Sequence, residues 1–303
     1  MLICNDGSEQ ADKALRLGVT IAAACQAEVT LLGIVESGRK PEVILDSLRR
    51  GQQLLEDKKI HAELITKAGQ PVEEIVKRTE EVTYDLVVIG AVRKDTRGLF
   101  WMSSKAYKII KSVAPPVLVV MEKTSAIKRI LICTGGRKYI ENAFSLTGQI
   151  AKGMEASVTL LHVMPELPAI YARLHRMEAD AQSVLNSKSE LGRNLRGQRE
   201  LLESFGVPTE IRLRQGSVME QIFREIKGGN YDLVVTGSSL NRGSLRVYVL
   251  GNVTREIVNR VNCAVLVVRT GEKYRGVARG LRDWLGRVTH RGEAGKPGGK
   301  KSL

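Results

Sequence analysis

The 303-residue sequence is poor in aromatic side chains, which make up 4% of it, and it holds only four histidines and four cysteines. Cys4, Cys25, Cys133 and Cys263 form no CxxC pair, and no Cys/His cluster has the spacing of a zinc site. Neither a disulfide framework nor a metal centre is indicated. No stretch approaches the ~20 apolar residues of a membrane-spanning helix. Met1-Leu2-Ile3-Cys4-Asn5-Asp6 enters a strand-like pattern at once, without the basic and apolar regions of a secretory leader, so a reducing cytoplasm is the expected compartment. Also missing are a Walker A sequence, HExxH, Gly-x-Ser-x-Gly and Gly-x-Gly-x-x-Gly. The common phosphoryl-transfer, metalloprotease, hydrolase and dehydrogenase readings lose their usual support, and a non-enzyme is expected, with slow ATP hydrolysis left open.

What is present is apolar material for two compact domains, 43% of the residues, and a formal charge of +14. The charge is uneven. From Arg269 onward there are ten Lys/Arg against three Asp/Glu, a net of 10 − 3 = +7 and half the total. On a helix in this tail, Tyr274, Val277, Leu281, Trp284 and Leu285 share one face, with Arg275, Arg279 and Arg282 opposite. Such a basic amphipathic segment suits an anionic membrane, a protein partner or the body of the protein itself. Gly276, Gly280 and Gly286 weaken the helix, and the Gly/Lys-rich end from Gly292 is expected to be disordered. Nucleic-acid binding is disfavoured by the thin supply of stacking aromatics.

The chain repeats itself. Leu2-Ile3-Cys4-Asn5-Asp6-Gly7-Ser8 returns as Leu131-Ile132-Cys133-Thr134-Gly135-Gly136-Arg137 at an offset of 129, which the segments starting at Ala27 and Ala156 share. Tyr84-Asp85-Leu86-Val87-Val88 matches Tyr231-Asp232-Leu233-Val234-Val235 at 147, and Pro116-Val117-Leu118-Val119-Val120 matches Ala264-Val265-Leu266-Val267-Val268 at 148. The second copy carries its extra length around Pro165 to Leu202, read as a longer helix or a loop-helix excursion. Domains are expected at 1–122 and 127–270, with a tail over 271–303.

Short Val/Ile/Leu runs alternate with amphipathic segments, the pattern of β-α-β units around a buried parallel sheet. Five strands are expected per copy. In the first they fall near 1–5, 27–35, 60–66, 85–89 and 117–121, with helices near 9–26, 41–56, 71–81 and 102–113. Ser8 reads as an N-cap and Pro71 as a first helical residue. Ligands of open parallel sheets bind at the carboxyl ends of the strands, so each copy should hold its site there. His162, Asp85 and Asp232 read as structural, and the cysteines as small buried residues.

The Asp-Gly-Ser end of the first strand, the Val-Thr-Leu-Leu-His-Val second strand, the Gly-x-Pro turn and the final Pro-Val-Leu-Val-Val strand together resemble the universal stress protein family. The resemblance covers residues 1 to about 270. It implies an α/β fold of two tandem Rossmann-like domains, similar to the adenine nucleotide alpha hydrolases, each a five-stranded parallel sheet of order 3-2-1-4-5. It also implies pairing of the two final strands, so that the copies form an intramolecular pseudo-dimer, with further homodimerisation open. Many members bind ATP or another adenine nucleotide, others none. The family motif is Gly-x2-Gly-x9-Gly-Ser/Thr after the fourth strand, with an Asp closing the first; its glycines let backbone N–H groups reach phosphates.

In the second copy this motif finds Gly237-Ser238-Ser239-Leu240 and Gly251-Asn252-Val253, with Leu240 in place of the middle glycine, one residue too many in the span, and Gly135 in place of the Asp. In the first copy Asp6 is kept, but the motif reads Gly90-Ala91-Val92-Arg93 and Ser103-Ser104. By resemblance, Gly237, Ser238, Gly251, Asn252 and Val253 would meet phosphate and ribose and Thr134 and Val163 the base, with Asp6 the counterpart in the first copy. The expected ligand is ATP or AMP, with Mg accompanying the nucleotide. The expected role is a stress-response sensor or regulator; the alternative is a nucleotide-free scaffold working through its tail.

Overall fold

The computed structural model describes residues 1–38, 40–91, 93–96, 99–102, 104–121, 126–136, 141–164, 181–240 and 248–270. The basic tail from 271, most of the expected linker and the excursion over 165–180 lie outside the described residues.

The first copy runs β1 (Leu2–Asn5), α1 (Glu9–Cys25), β2 (Val29–Val35), α2 (Pro41–Glu56), β3 (Ala62–Ala68), α3 (Pro71–Glu81), β4 (Val87–Gly90), β5 (Arg93–Thr96), β6 (Leu99–Met102), α4 (Ser104–Ser112) and β7 (Val117–Val120). The second runs β8 (Arg129–Cys133), α5 (Glu141–Met154), β9 (Ser157–Met164), α6 (Ala181–Asn186), α7 (Glu190–Glu203), β10 (Thr209–Gln215), α8 (Val218–Gly229), β11 (Leu233–Leu240), β12 (Tyr248–Val249), α9 (Asn252–Arg260) and β13 (Ala264–Thr270). Local chemistry sets the boundaries. Ser8 caps α1 by accepting from Ala11 N–H at 3.2 Å, and the helix stops where Gln26 turns left-handed at φ 51°. Pro41 and Pro71 open α2 and α3, where the missing N–H costs nothing.

Each copy forms a parallel sheet in the order 3-2-1-4-5: β3-β2-β1-β4-β7 and β10-β9-β8-β11-β13. Strand residues alternate between two cores. Ile3, Leu31, Val88 and Leu118 face the layer of α1, α2, α5 and α7, while Leu2, Leu32, Val87 and Val117 face α3, α4, α8 and α9. Because the central strands are covered on both sides, they read as unbroken aliphatic runs.

The two sheets merge through β7 and β13, which pair antiparallel with Val117 opposite Val267 and Val119 opposite Val265. That pairing satisfies two edges at once and gives the copies a pseudo-twofold relation. On one face α1 crosses α5 closely, since a Cβ on Gly153 would lie 2.7 Å from the carbonyl oxygen of Ala24. At the junction's other end Arg269, only 5% exposed, reaches out of β13 into the first copy. Its Nη2 donates to the carbonyls of Ile110 and Val113, both at 2.8 Å, and its Nε to those of Ala114 and Pro115, both at 3.2 Å. The guanidinium thus caps the carboxyl end of α4, where carbonyls lack helical partners and the dipole is negative.

A second pair of equivalent positions carries opposite charges. In the first copy Arg78 of α3 donates to Glu63 at 2.7 Å and to the Tyr84 hydroxyl at 2.7 Å. At the position 147 residues on stands Glu225 of α8, 1% exposed, which accepts from Arg212 at 2.6 Å, Arg214 at 2.9 Å and the Tyr231 hydroxyl at 2.7 Å. Burial alone would push the Glu225 carboxyl up, but these hydrogen bonds outweigh it and hold it below its ordinary range.

Two short elements were not expected, the β12 strand beside the end of β11 and a hairpin after β4. The segment after β4, read as a degraded phosphate motif, folds as a hairpin in which Arg93 pairs with Met102 and Thr96 with Leu99. Its Arg-Lys-Asp-Thr strand lacks the apolar alternation by which strands are recognised.

Candidate functional site

The carboxyl ends of β1 and β8 carry the same loop built from different side chains. In the first copy the buried Asn5 accepts from Gly7 N–H through Oδ1 at 2.7 Å, and Gly7 sits at φ +75°. In the second Thr134 accepts from Gly136 N–H through Oγ1 at 3.1 Å, and Gly136 sits at φ +71°. Both are side-chain-closed turns whose left-handed residue must be glycine. Helices fix them from behind. Asn5 donates to Ser47 of α2 at 2.7 Å, and Thr134 donates to Gln198 of α7 at 3.0 Å, while Asn194 donates to the Gly136 carbonyl at 2.9 Å. Behind the first loop Asp12 would be pushed up by burial, but hydrogen bonds from Ser47, Asn5 and Arg50 bring its carboxyl below the ordinary range.

Between these loop positions lie Asp6 and Gly135. Asp6 is half-buried and accepts from Ser8 N–H at 3.0 Å. Gly135 lacks that carboxylate, and a Cβ there would meet nothing within 4 Å. Val163 lies half-buried near the end of β9, opposite Arg214. His162 beside it places Nδ1 3.0 Å from the Thr134 carbonyl, a structural contact to the same loop.

The remaining expected residues fall at the neighbouring strand. Gly237 and Ser238 are not in a loop; β11 stays extended through Leu240, pairing with Val268 and Arg269 of β13 and then, at Ser239 and Leu240, with β12. The Ser238 hydroxyl is buried, donating to the Val268 carbonyl at 3.2 Å and accepting from Arg269 Nη1 at 2.8 Å. Gly251 precedes α9 with no capping side chain, is exposed, and would leave a Cβ with nothing within 4 Å. Asn252 is exposed and Val253 half-buried in the first turn. Thr254 pins that turn to the strand end, donating to the Gly237 carbonyl at 2.5 Å, with its oxygen 2.9 Å from the Thr236 hydroxyl. The strand ends therefore gather a preformed glycine loop and an uncapped helix N-terminus.

The sequence model described as "Universal stress protein family" matches residues 1–121 and again 126–269. The chain belongs to the universal stress protein family. A Staphylococcus aureus protein carrying the universal stress protein name is 31% identical over 150 residues, which span 48% of this chain and 86% of that one. The crystal structure of a universal stress protein from Archaeoglobus fulgidus superposes with a TM-score of 0.63 at 20% identity, covering 89% of this chain and 98% of that one. A Pseudomonas aeruginosa protein described as functionally unknown, PA1789, gives 0.61 at 17% identity over 89% and 92%. At these identities the structures establish the fold, a tandem of universal stress protein repeats.

Within this tandem universal stress protein, sequence reasoning passed over Gln198, Asn194, Thr254 and Arg269. A position-by-position comparison of the repeats carries the signal for Arg269. Ser238 and Arg269 stand where the first copy has Ala91 and Met121, so a polar pair replaces an apolar one at a buried place. Among the described residues no group of three or more His, Cys, Asp or Glu could hold a metal ion, and no helix is long and apolar enough to cross a membrane.

Proposed function

We propose that the second copy binds an adenine nucleotide, ATP or AMP, at the carboxyl edge of its sheet, and that the protein acts as a cytoplasmic stress-response sensor or regulator rather than a catalyst. The observation that carries this reading is the amino end of α9. Gly251 leaves the N-terminus exposed and uncapped, and Thr254 anchors it beside the end of β11, so its free N–H groups and positive dipole favour a phosphate. The Thr134–Gly136 loop stands at the end of the adjacent β8. The residues present fit the phosphate end of a nucleotide better than its ribose, because Gly135 offers no carboxylate. A magnesium ion would arrive with the phosphates, since the described residues supply no cluster for it.

The test is to denature the purified chain, identify any released nucleotide by chromatography, and titrate ATP and AMP with and without magnesium. The expected result is about one nucleotide per chain, lost in Gly251→Arg and bound roughly tenfold tighter in Gly135→Asp, which restores the family's carboxylate. No released nucleotide and no saturable binding would refute the proposal. A nucleotide-free scaffold is then the reading to prefer. One feature favours it: the Ser238 hydroxyl and the backbone from Gly237 to Leu240 are committed to internal pairing.

A further inference from the structure

The two copies differ between the helix pairs α1/α2 and α5/α7. In the first copy Arg50 of α2 reaches across to α1, where its Nη2 meets Asp12 at 3.1 Å. The residue 147 positions on is Gly197 of α7, whose missing Cβ would have nothing within 4 Å. In the second copy α5 and α7 border an open groove of about 360 Å³, within the ~300–1,000 Å³ range of small-molecule pockets.

The lining gives the chemistry of the occupant. Half-buried Leu201, with the buried Phe144 behind it, supplies an apolar wall, and the exposed Arg193, whose Nη1 also donates to the Lys188 carbonyl, supplies a cation. Ser145 lines the same groove and is 8% exposed, which places a hydroxyl in its wall. From these features we infer that the α5–α7 groove of the second copy is a binding site for a small organic anion with an apolar body. The carboxylate or sulfonate meets Arg193, a polar atom meets Ser145, and the body lies on Leu201. The site is separate from the strand-end edge, but Asn194 and Gln198 line it while holding the Thr134–Gly136 loop on their other side.

Anilinonaphthalene sulfonate has this composition and fluoresces when its rings leave water. Titrated into the full native chain, it should bind saturably at one per chain. Gly197→Leu fills the groove at a position where nothing obstructs a side chain, and should weaken binding more than tenfold while leaving the unfolding midpoint unchanged or raised. Arg193→Gln should weaken it roughly tenfold, reporting the anion contact separately from the apolar one. Excess AMP should leave the dye bound. Equal binding by wild type and Gly197→Leu, absence of saturable binding, or stoichiometric displacement by AMP would each overturn the assignment. The outcomes with Gly197→Leu and Arg193→Gln do not depend on whether a nucleotide binds at the strand ends.

Discussion

Replacing Arg269 by methionine, the residue the first copy carries at the equivalent place, isolates what joins the two repeats. The change removes donors to the carbonyls of Ile110, Val113, Ala114 and Pro115 and to the Ser238 hydroxyl, while a side chain of similar length still fills the volume. Each buried acceptor left unsatisfied costs about 1–3 kcal/mol, and part is recovered as the last turn of α4 relaxes and methionine buries apolar surface. A loss of about 3 kcal/mol is expected. With a urea m-value of about 3 kcal/mol per M, the midpoint should fall by about 1 M. Arg269→Lys keeps the charge but not the planar fork and should lose roughly half as much. Urea unfolding followed by circular dichroism provides the measurement, with Arg49→Ala, an exposed i,i+3 pair, as a control expected to shift by less than ~0.5 kcal/mol. If Arg269→Met unfolds within about 0.2 M of wild type, the contacts between β13 and α4 do not hold the copies together and the reasoning fails.

Three further expectations follow from the same structure. Glu225→Gln should destabilise by about 2 kcal/mol at pH 7, less than a fully buried pair because its arginine partners are partly exposed. Since the Glu225 carboxyl is held below its ordinary value of 4.5, the difference from wild type should be constant above about pH 5 and vanish as pH falls through the lowered value; a difference that grows in acid would contradict the assignment. Gly153→Ala should destabilise by about 1–3 kcal/mol because its Cβ meets the backbone of Ala24, whereas Gly228→Ala, with nothing within 4 Å, should stabilise by up to about 1 kcal/mol; equal thermal shifts would show that α1 and α5 are not in close contact. Burial pushes the Cys25 thiol up to about 11 and that of Cys133 to about 12, so at pH 8 both should react with a disulfide reagent at least about 100-fold more slowly in the native chain than in urea, as mass spectrometry of labelled peptides would read.

The layout of the fold was legible because its signals are local. Ser8, Pro41 and Pro71 mark helix starts at the residues where α1, α2 and α3 begin, and the aliphatic runs mark strands that need no polar face. The strand order and the pairing of β7 with β13 came from resemblance, since no spacing in a sequence specifies which strands are neighbours. The β5–β6 hairpin escaped because a charged strand has no apolar period. At the site, the Thr134 loop could be read from its repeat match to Asn5-Asp6-Gly7, in which the left-handed residue is glycine both times. The engagement of Ser238 could not, because its partner Arg269 looked like the first residue of a basic tail. The groove beside Gly197 was least visible of all, being defined by a side chain that is missing from one member of a helix pair.

The reversed charges at Arg78 and Glu225 have a consequence for how a chain made of two similar halves avoids folding wrongly. Tandem repeats can exchange homologous elements during folding, and here α3 and α8 could in shape each dock on the other's sheet. If α3 took the place of α8, Arg78 would be buried against Arg212 and Arg214. In the reciprocal exchange Glu225 would face Glu63. Both wrong assemblies bring like charges face to face, whereas both right ones pair opposites. The inversion therefore works as an address that tells each helix which half of its own chain it belongs to.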